Sequence, residues 1–176
     1  DQVYRRGAVG DIPHDARVVD PGQGLDSQLD IAVQDGKIVA ILLDIPTTGA
    51  TRIVDVRGSN RYVLPGLLDI HTHVAHGATT AGVGMGCVDP DVGGVGSGAT
   101  TLLDAGSVGI ANIGVFGTHL LPHARTRVIV FVNLGTYAHT TPAAADVTRM
   151  EDIDRNTIAR CIEANPGLIS GFKLRM

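Results

Sequence analysis

Tryptophan is absent from the 176 residues, and tyrosine and phenylalanine occur three times each, so any core must be filled by aliphatic side chains. Cysteine is almost as scarce. Cys87 and Cys161 are too few for a disulfide framework, which makes a reducing cytoplasm the expected compartment. No apolar run approaches the roughly 18 residues that span a bilayer, and no signal-peptide pattern opens the chain, so no membrane partner is expected. Basic clusters are missing as well. The formal net charge is -4, and nucleic acid is not an expected partner. The chain also lacks a first methionine, opening "DQVYRRGAVG", and it stops at "GFKLRM" directly after a strand-like run. Both ends read as cut.

What the chain does have is glycine, at 23 residues, and an apolar fraction of 44% against 18% charged, the balance of a folded globular protein. The first 62 residues read as short strands. "ARVVD" is one, and "LDIAV" and "KIVAILLD" flank the hairpin signal Gln34-Asp35-Gly36. "TRIVDV" follows, and no helical period intervenes, so residues 1–62 are expected to form a small β-sandwich or β-roll.

From Val63 onward the pattern changes. "GLLDIHTH", "ATTLLDAG", "RVIVFVNLG" and "LISGFKL" recur as apolar strand-like runs separated by segments long enough for helices. The clearest helix is predicted over Asp152–Ala164, with Ile153, Ile158, Cys161 and Ile162 as its stripe and Asn165-Pro166-Gly167 as its stop. Apolar strands alternating with helices imply parallel βα units buried on both faces. Four of them make residues 63–176 the first half of a (β/α)8 barrel, and the fold class is α/β. The Gly-rich tract "GATTAGVGMGCVDPDVGGVGSGATT" contains no G-x-G-x-x-G between strand and helix, and reads as a long βα loop with Cys87 as a packed thiol.

Chemistry concentrates in "VLPGLLDIHTHVAHG". Residues two apart on a strand share a face, so Asp69, His71 and His73 project together, and two imidazoles at a strand end suit a metal ion. Asp69 is expected behind them, accepting an imidazole N–H, or else tied to the backbone. Lys173 is the second anomaly. An ammonium enclosed by the apolar run "LISGFKLRM" tends to lose its proton, and a neutral amine can add carbon dioxide to give a carbamate that bridges two cations. The alternative is an outward lysine with its charge in solvent. Beside His71 and His73, the metal reading is preferred. Arg175, two residues on, is a candidate partner for a substrate carboxylate, with a solvated strand-end charge as the alternative. Asn133 and His139 are weaker candidates for substrate contacts, and His76, His119 and His123 read as surface residues.

"VLPGLLDIHTHV" closely resembles the first barrel strand of the amidohydrolase superfamily of metal-dependent hydrolases, with "GATTLLDAGS" as the second strand and a lysine on the fourth. The resemblance implies that His71 and His73 bind the more buried of two divalent ions, with zinc expected, and that Lys173, carboxylated, bridges both. It also implies that the remaining ligands, two histidines and the aspartate that acts as general base, lie beyond Met176. The continuation "VAHG" departs from dihydroorotases and hydantoinases, and Leu174 after the lysine departs from ureases. "GCVDPDVGGVGSGATTLLDAGSVG" with "GFKLRM" instead resembles the deacetylase-like amidohydrolases, which implies hydrolysis of N-acetyl or O-acetyl groups on small carboxylic acids. The rivals are a cyclic amidohydrolase of dihydroorotase or hydantoinase type and a non-catalytic scaffold relative. A homo-oligomer, or pairing with the other half of the barrel, is the expected assembly.

Overall fold

The computed structural model describes residues 11–78, 86–140, 147 and 149–175, with side chains from residue 13. The chain divides into two compact units, Asp1–Pro65 and Gly66–Met176. The division falls after Pro65 rather than at Val63, because Tyr62 and Val63 pair with Arg17 and Val18 in the first unit.

The first unit is a bent, mixed sheet of β1 (Asp11–His14), β2 (Ala16–Asp20), β3 (Leu25–Gln34), β4 (Lys37–Leu42), β5 (Arg52–Asp55) and β6 (Tyr62–Val63). β3 is its spine. The first half of β3 runs antiparallel to β2, and the second half pairs with β4. The β3–β4 turn places both Asp35 (φ 51) and Gly36 (φ 71) in the left-handed region, the requirement of a two-residue hairpin loop that matches strand twist. β1 and β2 are one strand broken at Asp15, whose φ is 55. The break is fastened by Asp30, whose Oδ1 accepts the Asp15 N–H at 2.7 Å and His14 Nδ1 at 2.9 Å, while Oδ2 accepts the Ile45 N–H at 2.9 Å. Ala16, Val18, Ile31 and Val56 close the core of this unit.

The second unit carries β7 (Leu67–Thr72), β8 (Ala99–Gly109), β9 (Arg127–Asn133) and β10 (Ile169–Lys173). All pairings are parallel and the strands neighbour one another in chain order, as successive strands of a (β/α)8 barrel do. The central strands meet the expectation of burial on one face, where Leu102, Val108, Val130 and Val132 form the core with Phe116 and Cys161, whereas Leu103, Ile129 and Phe131 on the other face are only partly buried. The outer strands do not, because each has a single neighbour. Leu68 and Ile70 on β7 are 63% and 74% exposed, and Phe172 on β10 is 49% exposed.

The helices between the strands are short. α1 (Pro90–Gly93) is capped by Asp89. α2 (Arg155–Ala164) starts later than the apolar pattern predicted, because Asp154 is its N-cap, accepting the N–H groups of Asn156 and Thr157. Met150–Asp152 forms a separate 3-10 turn, which leaves Ile153 outside the helix. Cys161 is the buried member of the stripe, and Ile162 is 40% exposed. Of the Gly-rich tract, residues 79–85 lie outside the described residues. Among the described residues, no helix is long and apolar enough to cross a membrane.

Candidate metal and substrate site

Because the four strands of the second unit are parallel, their C-terminal ends share one edge, and the candidate residues gather there. β7 ends at Thr72, with His71 inside it and His73 just beyond. The two imidazoles meet edge to face, with ring centroids 5.6 Å apart and planes at 68°. His71 is exposed and His73 is half-buried. Burial is the main cause that lowers the His73 pKa, joined by the neighbouring His139 and opposed by Asp104. A neutral imidazole is the form that offers a lone pair to a cation.

His73 is held from behind by a buried network on β8. Its Nδ1 lies 3.0 Å from the Ser107 hydroxyl, which lies 2.5 Å from Oδ2 of Asp104. Asp104 and Ser107 are both fully buried. The Asp104 carboxylate also accepts the Val74 N–H on Oδ2 and the Ser107 N–H on Oδ1, each at 2.8 Å. β8 makes room for this by a bulge: Ala105 pairs with Phe131 and the next pair is Gly109 with Asn133, so β8 carries two residues more than β9 between those pairs. Cys87 reaches the same Ser107 hydroxyl, and burial pushes its thiol pKa up.

Asp69 is corrected by this arrangement. Its carboxylate accepts the backbone N–H of His71 at 3.0 Å, a strand-end tie, and the imidazole contact expected of it goes to Ser107 instead. Asn133 is corrected too. It is fully buried, with Oδ1 accepting the Gly135 N–H at 2.8 Å and Nδ2 directed at the Gly106 carbonyl at 3.5 Å, so its amide braces the β8 bulge rather than facing a substrate.

Lys173 closes β10 beside Asn133 and is near enough for its charge to act on His73. It packs over Gly106, where an added Cβ would stand 2.6 Å from the Lys173 Cβ. Gly106 has a φ of +78 and sits in the bulge, so close approach and backbone conformation both require glycine there. Lys173 is half-buried rather than enclosed, since β10 is an outer strand. The described residues therefore do not supply the apolar enclosure from which a carbamate was reasoned.

His139 lies in the 3-10 turn Ala138–Thr140, is 1% exposed, and stacks against His73 with ring centroids 4.3 Å apart. Arg175 Nη1 lies 3.3 Å from His139 Nε2. Arginine only donates, so that nitrogen accepts. β10 has ended at Lys173, and the shared-face argument for Arg175 is replaced by this contact. The structure thus brings His71, His73, His139, Lys173 and Arg175 to one edge. His76, His119 and His123 are exposed elsewhere.

Two imidazoles on one strand end, one of them with its pKa lowered by burial and backed by a hydroxyl, fit one side of a metal centre. Among the described residues, no group of three or more His, Cys, Asp and Glu side chains is placed to hold an ion, so the fit is partial and needs Lys173 and further donors. Sequence reasoning passed over Asp104 and Ser107. The signal was an aspartate inside the apolar run "TTLLDAG", where a charged group needs partners close by.

No family model matches the chain. It is 33% identical over 145 residues to a deacetylase from Agrobacterium fabrum, an alignment covering 80% of this chain and 33% of that protein. A deacetylase from Brucella anthropi is 34% identical over 155 residues, covering 85% of this chain and 36% of that protein. The chain therefore spans about a third of the length of these relatives. Among solved structures, a dihydroorotase superposes with a TM-score of 0.74 at 30% identity, over 94% of this chain and 42% of that one. An adenine deaminase shares the fold, with a TM-score of 0.74 at 24% identity over 96% of this chain and 42% of its own. With the parallel strand order and the histidine pair at the end of β7, these likenesses to deacetylases and a dihydroorotase agree, over the aligned part of the chain, with the resemblance to the amidohydrolase superfamily.

Proposed function

We propose that the whole protein is a metal-dependent amidohydrolase that cleaves an N-acetyl or O-acetyl bond of a small carboxylic acid. The observation that carries the reading is the convergence of the His71–His73 pair with Lys173 at one strand-end edge, in a chain whose aligned relatives include two deacetylases. His71 and His73 would hold one divalent ion through their ring nitrogens. Lys173 would join two ions as a carbamate: its neutral amine adds to carbon dioxide, forming the N–C bond and releasing one proton. Zinc is the ion we assign, because neutral imidazoles and a carboxylate-like oxygen donor suit it. Bound divalent ions supply a water of lowered pKa and polarise the scissile carbonyl.

The chain's own residues do the rest. His73, fixed through Nδ1 by Ser107, would offer its remaining nitrogen. Arg175 is assigned to the substrate carboxylate, which a guanidinium can bind through two N–H groups, and His139, buried beside His73 with Nε2 toward Arg175, is assigned to positioning it. The partner is a small molecule. We assign the assembly to a homo-oligomer or to association with the remaining barrel, and the compartment to the cytoplasm. A second reading, a cyclic amidohydrolase, is favoured by the dihydroorotase that superposes at 30% identity.

The test is a pair of assays on the whole protein. It should release acetate from N-acetyl or O-acetyl carboxylic acids, whereas ring opening of dihydroorotate without acetate release would select the second reading. Lys173→Ala should abolish turnover, and added short carboxylic acids should restore part of it by filling the vacated position. Undiminished turnover in that variant would remove Lys173 from the site.

A further inference from the structure

We propose that Asp104 and Ser107 are positioning residues that lock His73 as the tautomer protonated on Nδ1 and so present the Nε2 lone pair to the metal. The inference deepens the metal-dependent reading and rests on it. It follows from counting hydrogens. A carboxylate only accepts, and the Ser107 hydroxyl has one hydrogen. That hydrogen goes to Asp104 Oδ2 at 2.5 Å. Ser107 Oγ is then left to accept from His73 Nδ1 at 3.0 Å, so Nδ1 carries a hydrogen, and in the neutral ring that a metal ion requires the bare nitrogen is Nε2.

The reverse order would need a hydrogen on a carboxyl group toward which two backbone N–H groups, from Val74 and Ser107, already point. The Cys87 thiol at the same hydroxyl is only a weak donor or acceptor and does not displace either partner. The β8 bulge is the device that turns Ser107 into this position. Two extra residues between the Ala105 and Gly109 pairings, with Gly106 at φ +78, fold the Ser107 N–H and hydroxyl back onto the side chain of Asp104. Both residues are fully buried, so the network is shielded from competition by solvent.

Two measurements on the whole protein test this. In the metal-free wild type, nitrogen-15 NMR of His73 should show a protonated Nδ1 and an unprotonated Nε2, and the opposite tautomer would overturn the proposal whatever the metal does. Ser107→Ala removes the acceptor on Nδ1, and zinc affinity measured by chelator competition should fall about 10- to 100-fold, with His73 becoming a mixture of tautomers. Zinc affinity within about twofold of wild type, with the tautomer retained, would contradict it. If Ser107→Ala does not fold, the wild-type tautomer decides alone. A wild type that binds no zinc would sink the proposed function instead, and the tautomer measurement would still stand.

Discussion

Each unit of the molecule buries one aspartate against a histidine, and the two arrangements differ by a single hydroxyl. In the first unit Asp30 contacts His14 Nδ1 directly and accepts the N–H groups of Asp15 and Ile45. In the second, Asp104 accepts the N–H groups of Val74 and Ser107, and reaches His73 only through the Ser107 hydroxyl. In direct contact the carboxylate is itself the partner of the ring nitrogen, with nothing between them. At His73 a hydroxyl is interposed, fixing ring and tautomer, while burial outweighs the charge of Asp104, which acts to raise the His73 pKa. The same device therefore fastens a strand break in one unit and aims a histidine in the other.

Breaking both hubs is the severest test of that contrast. Asp104→Ala orphans two buried N–H groups at about 1–3 kcal/mol each, so thermal unfolding should show a loss of about 2–6 kcal/mol, and zinc binding should go with it. Asp30→Ala orphans two N–H groups as well and should destabilise comparably, but the folded fraction should bind zinc like wild type. Equal damage to zinc affinity in both variants would erase the distinction.

Glycine substitutions sharpen it at a smaller scale. Gly36 and Gly106 both have positive φ, 71 and 78. Nothing lies within 4 Å of a Cβ at Gly36, whereas Lys173 and Asn133 crowd one at Gly106. Gly36→Ala should cost about 1 kcal/mol from backbone strain alone. Gly106→Ala adds overpacking and should cost about 2–4 kcal/mol by thermal unfolding, with turnover falling because Lys173 must move. Matching losses would mean that Lys173 is not seated on Gly106.

The smallest effect belongs to the exposed Asp55–Arg57 pair of the first unit. The Arg57 guanidinium holds the Asp55 carboxyl down to about 2, from an ordinary 3.8. A carboxyl lowered in the folded state stabilises above the unfolded value and loses that contribution as pH falls from 3.8 toward about 2. Wild type and Asp55→Asn should therefore differ slightly in Tm at pH 5 and converge near pH 2. Solvent screening keeps the difference small. A gap that persists at pH 2 would assign it to packing rather than charge.

Most strands were legible because their apolar runs and turn residues act locally, although β1, with the sequence DIPH, carries no such run. Asp35-Gly36 specifies its hairpin, and Asn165-Pro166-Gly167 ends α2, without reference to the rest of the chain. β6 was not legible, since two residues, Tyr62 and Val63, become a strand only by pairing with Arg17 and Val18. The same divide runs through the site. The spacing of His71 and His73 is a property of one strand. The roles of Asp69, Asn133 and Ser107 depend on a bulge and on cross-strand register, which no single run encodes. The apolar neighbours of Lys173 in sequence predict its enclosure, but β10 is an outer strand, and the side chain stays partly exposed.

The central claim is that His71, His73 and Lys173 are one part of a metal centre. Elemental analysis of the whole protein, purified without chelator, tests it most directly. The account predicts about two divalent ions per chain, as a two-metal hydrolase requires. Protein that folds and carries none would contradict it.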